Sequence, residues 1–174
     1  MRNLLFTLCL MMAASLTASS QQNDPEQRLK ELGIQLFPPT KPMGNYVKAV
    51  RTGNLIFLAG HGPTFADNTN ITGKVGKELT LEQGAAAARQ TGLALLSTLK
   101  GEVGDLKKVK RIVKVLGMVN CTESFTDQPK VMNGFSDLMV QVFGERGKHA
   151  RSAVGMLVLP SNIAVEIEMV VEVE

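Results

Sequence analysis

The residues best suited to do chemistry cluster late in the chain. In the run His149-Ala150-Arg151-Ser152-Ala153-Val154, Arg151 stands where a polar loop enters an apolar strand, and Glu166 lies on the next strand-like segment. A hairpin turn at Pro160-Ser161-Asn162 would make the two near neighbours across a ladder. A guanidinium held by a neighbouring carboxylate receives a substrate carboxylate through paired hydrogen bonds, and a further carboxylate position can hold a water. The same spacing also describes a plain ion pair at a sheet edge. Other chemistries have thinner support. His61, His149 and Cys121 are far apart, with no HxxxH or CxxC spacing, so no metal is expected. There is no GxGxxG or phosphate-loop pattern to hold a nucleotide cofactor. Cys121 is read as a small buried side chain at a strand end rather than a nucleophile. A two-histidine ribonuclease site would need His61 and His149 brought together, which nothing in the sequence demands.

These residues must be positioned by a small set of elements. A short helix is expected over 24–33, followed by a stiff lead-in through Pro38, Pro39 and Pro42. Strands are expected at 46–51 and 55–59, joined at Thr52-Gly53-Asn54, with the Gly60, Gly62 and Pro63 cluster ending the second. A polar loop and a short extended piece at 71–75 follow. Thr80 and Gln83 have capping-box spacing and open the strongest helix, with an apolar stripe of Leu81, Ala85, Ala88, Gly92, Leu95 and Leu99 ending at Gly101. A one-sided strand spans 109–118, and a second helix starts near Pro129 with the stripe Val131, Phe135, Leu138 and Val142. The last quarter reads as strands at 153–159 and 163–173. The latter places Ile163, Val165, Ile167, Met169, Val171 and Val173 on one face. The order predicts an α+β domain, a mixed sheet with two main helices packed on one face.

Composition bounds the function. With 44% hydrophobic and 20% charged residues in 174, the chain is an ordinary globular sequence, not a disordered or disulfide-rich one. A formal net charge of +3, no Trp and 5% aromatics argue against a nucleic-acid partner. Residues 1–20 read as a secretory signal peptide: Arg2, an apolar run from Leu4 to Ala14, and small residues Ala18 and Ser20 before Gln21. Too short to span a membrane, the run predicts a secreted or periplasmic protein with no membrane attachment after cleavage. The division is then a leader at 1–20, a helix and Pro-rich lead-in at 21–43, and the main domain at 44–174.

From about Gly44 to Glu174 the chain resembles the RidA/YjgF family, also called endoribonuclease L-PSP. The resemblance is carried by Ala150-Arg151-Ser152-Ala153-Val154, Leu159-Pro160 and Val165-Glu166-Ile167-Glu168. Support comes from Gly44-Asn45-Tyr46-Val47, the Gly60 turn, Gly104-Asp105-Leu106 and Asn133. Asp127-Gln128-Pro129-Lys130-Val131 and Gly60-His61-Gly62-Pro63 look like a divergent branch. The resemblance implies a chorismate-mutase-like fold and a homotrimer with clefts between subunits. It also implies cofactor-free hydrolysis of 2-imino acids to 2-keto acids and ammonia. Within it, Arg151 would bind the substrate carboxylate, Glu166 would position or deprotonate water, Tyr46 would line the cleft, Gly60 would bring backbone close to the substrate, and Asn133 would give support. Ala153 stands where the family carries a cysteine. Two other functions are therefore kept in view: a binding trimer for small carboxylates without turnover, and a ribonuclease.

Overall fold

The computed structural model describes residues 24–42 and 44–174; the leader read at 1–20 lies outside them. Helix α1 (Pro25–Glu31) is capped by the Asp24 carboxylate, which accepts from the amides of Glu26 and Gln27, and it buries Leu29. Strands β1 (Ala49–Thr52) and β2 (Leu55–His61) form the expected hairpin, with Gly53 at positive φ in its turn. Next come α2 (Leu81–Val103), β3 (Val109–Asn120), α3 (Gln128–Phe143), β4 (Ala150–Met156) and β5 (Val165–Val173). The segment at 71–75 makes only isolated bridges.

Helix α2 begins where its capping box requires. Thr80 Oγ1 accepts from the Gln83 amide at 3.2 Å, and Gln83 Oε1 accepts from the Thr80 amide at 2.8 Å. It runs past Gly101 to end at Gly104, whose positive φ suits the cap. Ala88, Gly92, Leu95 and Leu99 of the predicted stripe are buried, and so are Ala87, Thr91, Ala94, Leu96 and Thr98. More than one face is covered because α2 lies against both the sheet and α3. Close approach of the helices rests on glycine: a Cβ at Gly134 of α3 would sit 2.0 Å from the Ala85 carbonyl oxygen of α2.

The five strands lie in the order β1-β2-β5-β3-β4. The last strand inserts between β2 and β3 and is antiparallel to both, while β3 and β4, joined through α3, pair in parallel. This order corrects the expected hairpin between the last two strands. They do not pair, because β3 lies between them, and the turn after β4 carries the chain across it. On β5 the alternation reads out as predicted: Val165, Ile167, Met169, Val171 and Val173 are buried beneath the helices. The opposite face of the sheet has no helix, and Val50, Phe57 and Val154 stand exposed on it.

Candidate functional site

Strand register decides which face each candidate side chain uses. Arg151 pairs with Val115, a fully buried residue on the helix side, and its guanidinium reaches α3. Nη1 donates to Asn133 Oδ1 at 3.1 Å and to Ser136 Oγ at 2.8 Å, and Nη2 donates to the Pro129 carbonyl at 3.2 Å. Three of the five N–H donors are thus used. Nε–H and one Nη2–H have no partner among the described residues, an edge that matches a carboxylate. Glu166 pairs with Met118 and points to the open face, where it lies over Gly60. Arg151 and Glu166 are therefore two strands apart and on opposite faces of the sheet. The neighbour contact expected from a hairpin, and with it an Arg151–Glu166 ion pair, does not form. Arg151 is held by an amide, a hydroxyl and a carbonyl in place of a carboxylate.

Behind Arg151 stands a hydrogen-bond chain that the sequence did not reveal. His149 Nδ1 donates to the Gly147 carbonyl at 2.6 Å, which leaves Nε2 to accept the Ser136 hydroxyl proton at 3.1 Å. Ser136 in turn presents an oxygen lone pair to Arg151. Burial, with the nearby Arg151 charge, lowers the His149 pKa and favours this neutral, singly donating ring. Asn133 and Ser136 are three residues apart on α3, so helical spacing does place them on one face; only the packing of α3 on β4 brings that face to Arg151. Ala153 shares the helix-side face with Arg151 and packs against the core.

The other residues gather around Gly60. Pairing of β2 with β5 shifts between Leu58↔Met169 and His61↔Ile167, so Ala59 and Gly60 form a bulge. A Cβ at Gly60 would lie 2.0 Å from Glu166 Oε1, so only glycine leaves space for the carboxylate there. The expected strand end at this glycine is thus a bulge inside β2. Tyr46, Lys48, Gly60, Asn70, Ser161 and Glu166 line a cavity of about 530 Å³ on the open side. Burial, reinforced by the Glu168 charge, raises the Glu166 pKa, the direction that makes a carboxylate a better proton acceptor. Lys48 was missed by sequence reasoning, although the strand expected at 46–51 would put it on one face with Tyr46; in the structure that strand begins only at Ala49, and Tyr46 and Lys48 lie in the bends before it.

The two histidines do not assemble. His61 is buried under α2, its Nδ1 donating to the Ala59 carbonyl at 2.6 Å and its Nε2 accepting from Thr98 Oγ1 at 2.9 Å, while His149 serves Ser136 beside β4. Cys121 is buried. Among the described residues no three His, Cys, Asp or Glu side chains gather as a metal cage, and no helix is long and apolar enough to cross a membrane.

Residues 26–173 match the family model described as "YjgF/chorismate_mutase-like, putative endoribonuclease". The chain belongs to the RidA/YjgF family. The α+β architecture is accordingly the chorismate-mutase-like one that the resemblance implied. Among its relatives, the protein TCP17 of Trypanosoma cruzi is 43% identical over 145 residues, 83% of this chain and 91% of TCP17. A 2-iminobutanoate/2-iminopropanoate deaminase of Dermatophagoides farinae is 30% identical, covering 77% of this chain and 90% of that protein. The crystal structure of Atu1372 from Agrobacterium tumefaciens superposes with a TM-score of 0.81 at 38% identity, covering 86% of this chain and 92% of that one.

Proposed function

We propose that this RidA/YjgF protein hydrolyses 2-imino acids to 2-keto acids and ammonia, in a cleft that two copies of the chain build together. The observation that carries the reading is the pairing of incomplete halves. Arg151 offers an unused donor edge on the helix side of β4, while Glu166 offers an unpaired carboxylate on the open side of β5. No motion within one chain brings them to one small molecule, but a neighbouring copy can. Exposed Val50, Phe57 and Val154 give that copy an apolar face to cover, in keeping with a homotrimer.

In such a cleft Arg151 grips the substrate carboxylate through Nε and Nη2 and fixes the imine carbon over Glu166. A protonated imine is already electrophilic, so orientation supplies much of the acceleration. Glu166 accepts a proton as the water oxygen bonds to that carbon. Glu166 returns that proton to the carbinolamine nitrogen, the C–N bond breaks as the carbonyl forms and the hydroxyl proton passes to Glu166, and ammonia departs from the 2-keto acid. The likeness to a Dermatophagoides farinae protein named as a 2-iminobutanoate/2-iminopropanoate deaminase supports this chemistry.

Ammonia release from freshly generated 2-iminopropanoate is expected to rise with protein and to fall at least a hundredfold in Arg151→Ala. Equal rates in the two proteins would remove Arg151 from the mechanism. Ala153 favours a second reading, a trimer that binds small carboxylates without turnover, because a methyl group cannot take part in proton transfer. Calorimetric binding of 2-ketobutyrate with no ammonia release would select it. In either case the leader would carry the protein out of the cytoplasm, which N-terminal sequencing of exported protein would test.

A further inference from the structure

Two cationic residues of the open-side cavity, Lys41 and Lys48, have no part in imine hydrolysis as described; Lys41 is exposed on the rim, whereas Lys48 is partly buried. It lies just before β1, where its carbonyl accepts from the Ala59 amide at 2.9 Å and continues the β1–β2 ladder. The next residue, Ala49, pairs with Leu58, which is buried on the helix side, so alternation puts Lys48 on the open side with Glu166. Gly60, on the strand between them, contributes no side chain. The backbones that carry Lys48 and Glu166 are two strand spacings apart, roughly 10 Å, and the Glu166 carboxylate reaches over Gly60 into the space between them.

Neither charge is neutralised by its surroundings. Among the described residues Lys48 makes no ion pair and no side-chain hydrogen bond, and Glu166 makes none either. Both are nevertheless partly buried. A cation withdrawn from water without a partner is costly, and burial accordingly lowers the Lys48 pKa. The cavity is also generous: about 530 Å³ lies within the range that accepts drug-sized ligands, far more than a three- or four-carbon acid fills. Asn70, Thr64 and Ser161 give the surplus space a polar lining.

Resting on the imine-hydrolysis reading, we infer that Lys48 receives a second anionic group of the substrate, so that the preferred substrate is the 2-imino derivative of a dicarboxylic amino acid. Arg151 of one copy holds the carboxylate next to the imine, Glu166 of the other works on the imine carbon, and Lys48 pairs with the carboxylate at the far end of the substrate side chain. The charge pattern discriminates by chemistry as well as size: an apolar side chain would leave the Lys48 ammonium buried and unpaired.

The test is calorimetric binding of two product acids, 2-ketoglutarate and 2-ketobutyrate, to the full chain and to Lys48→Met, Lys48→Gln and Lys48→Arg. The expected result is at least tenfold tighter binding of 2-ketoglutarate by the unaltered protein. That ratio should fall to within threefold of unity in Lys48→Met and Lys48→Gln and persist in Lys48→Arg. Equal affinities in the unaltered protein, or a preference untouched by both neutral variants, would overturn the role of Lys48 and leave the hydrolase reading intact. Failure of both acids to bind, or binding indifferent to Arg151→Ala, would overturn the hydrolase reading and this inference with it.

Discussion

Replacing Gly60 with alanine isolates the position of one carboxylate. The added Cβ would lie 2.0 Å from Glu166 Oε1, 2.9 Å from Cδ and 3.2 Å from Cγ, so three atoms of one side chain are too close. Ordinary contact requires the carboxylate to retreat by roughly an ångström or more. The backbone at Gly60 does not need positive φ, so alanine introduces no conformational strain there. Because the obstructed atoms end a partly exposed side chain that can swing into the cavity, stability should change by less than about 1 kcal/mol. Activity should change far more. Misplacing a reacting group by about 1 Å can cost on the order of 10²-fold, close to 3 kcal/mol of transition-state stabilisation. The assay is kcat/KM for 2-iminopropanoate together with the thermal midpoint of Gly60→Ala beside Glu166→Gln. A Gly60→Ala protein that folds normally and works within threefold of the unaltered one would refute the claim that Glu166 must sit over the bulge.

Three further outcomes follow from particular contacts. Ser136→Ala removes the hydroxyl that accepts from Arg151 and donates to His149, and calorimetry should find 2-ketobutyrate bound about ten- to 150-fold more weakly, the worth of one hydrogen bond to a charged group; unchanged affinity would show that Asn133 and Pro129 suffice to hold the guanidinium. Burial lowers the His61 pKa from 6.5 to about 4, so the unfolded chain binds its proton more readily than the folded one. His61 therefore leaves stability undiminished above pH 6.5 and withdraws roughly 3 kcal/mol as pH falls towards 4, and denaturant titrations of the unaltered protein and His61→Gln should show that slope flattened in the variant. Gly134→Ala would drive a methyl group to 2.0 Å from the Ala85 carbonyl oxygen, and because backbone cannot swing aside, a loss of about 3 kcal/mol or more should appear as a thermal midpoint lowered by several degrees.

What was legible in the sequence is what neighbouring residues settle among themselves. Thr80 and Gln83 cap α2 through a contact spanning three positions, Gly53 turns the first hairpin, and the alternation from Val165 to Val173 tells which side of β5 is buried, whatever lies beside it. Arg151 and Glu166 stood out for their residue types and their match to a family pattern. Their relation in space depended on strand order, and that is a long-range matter. Inserting β5 between β2 and β3 buries its apolar face on both flanks, while α3 returns the chain to lay β4 parallel to β3 at the edge. A hairpin guess from a short connection cannot see that competition, because the hydrophobic gain belongs to partners more than forty residues away. The same holds for Gly60, Gly134 and the His149–Ser136–Arg151 chain. Each is unremarkable in its local sequence and acquires its role only from an atom brought up by another element, at distances set by packing.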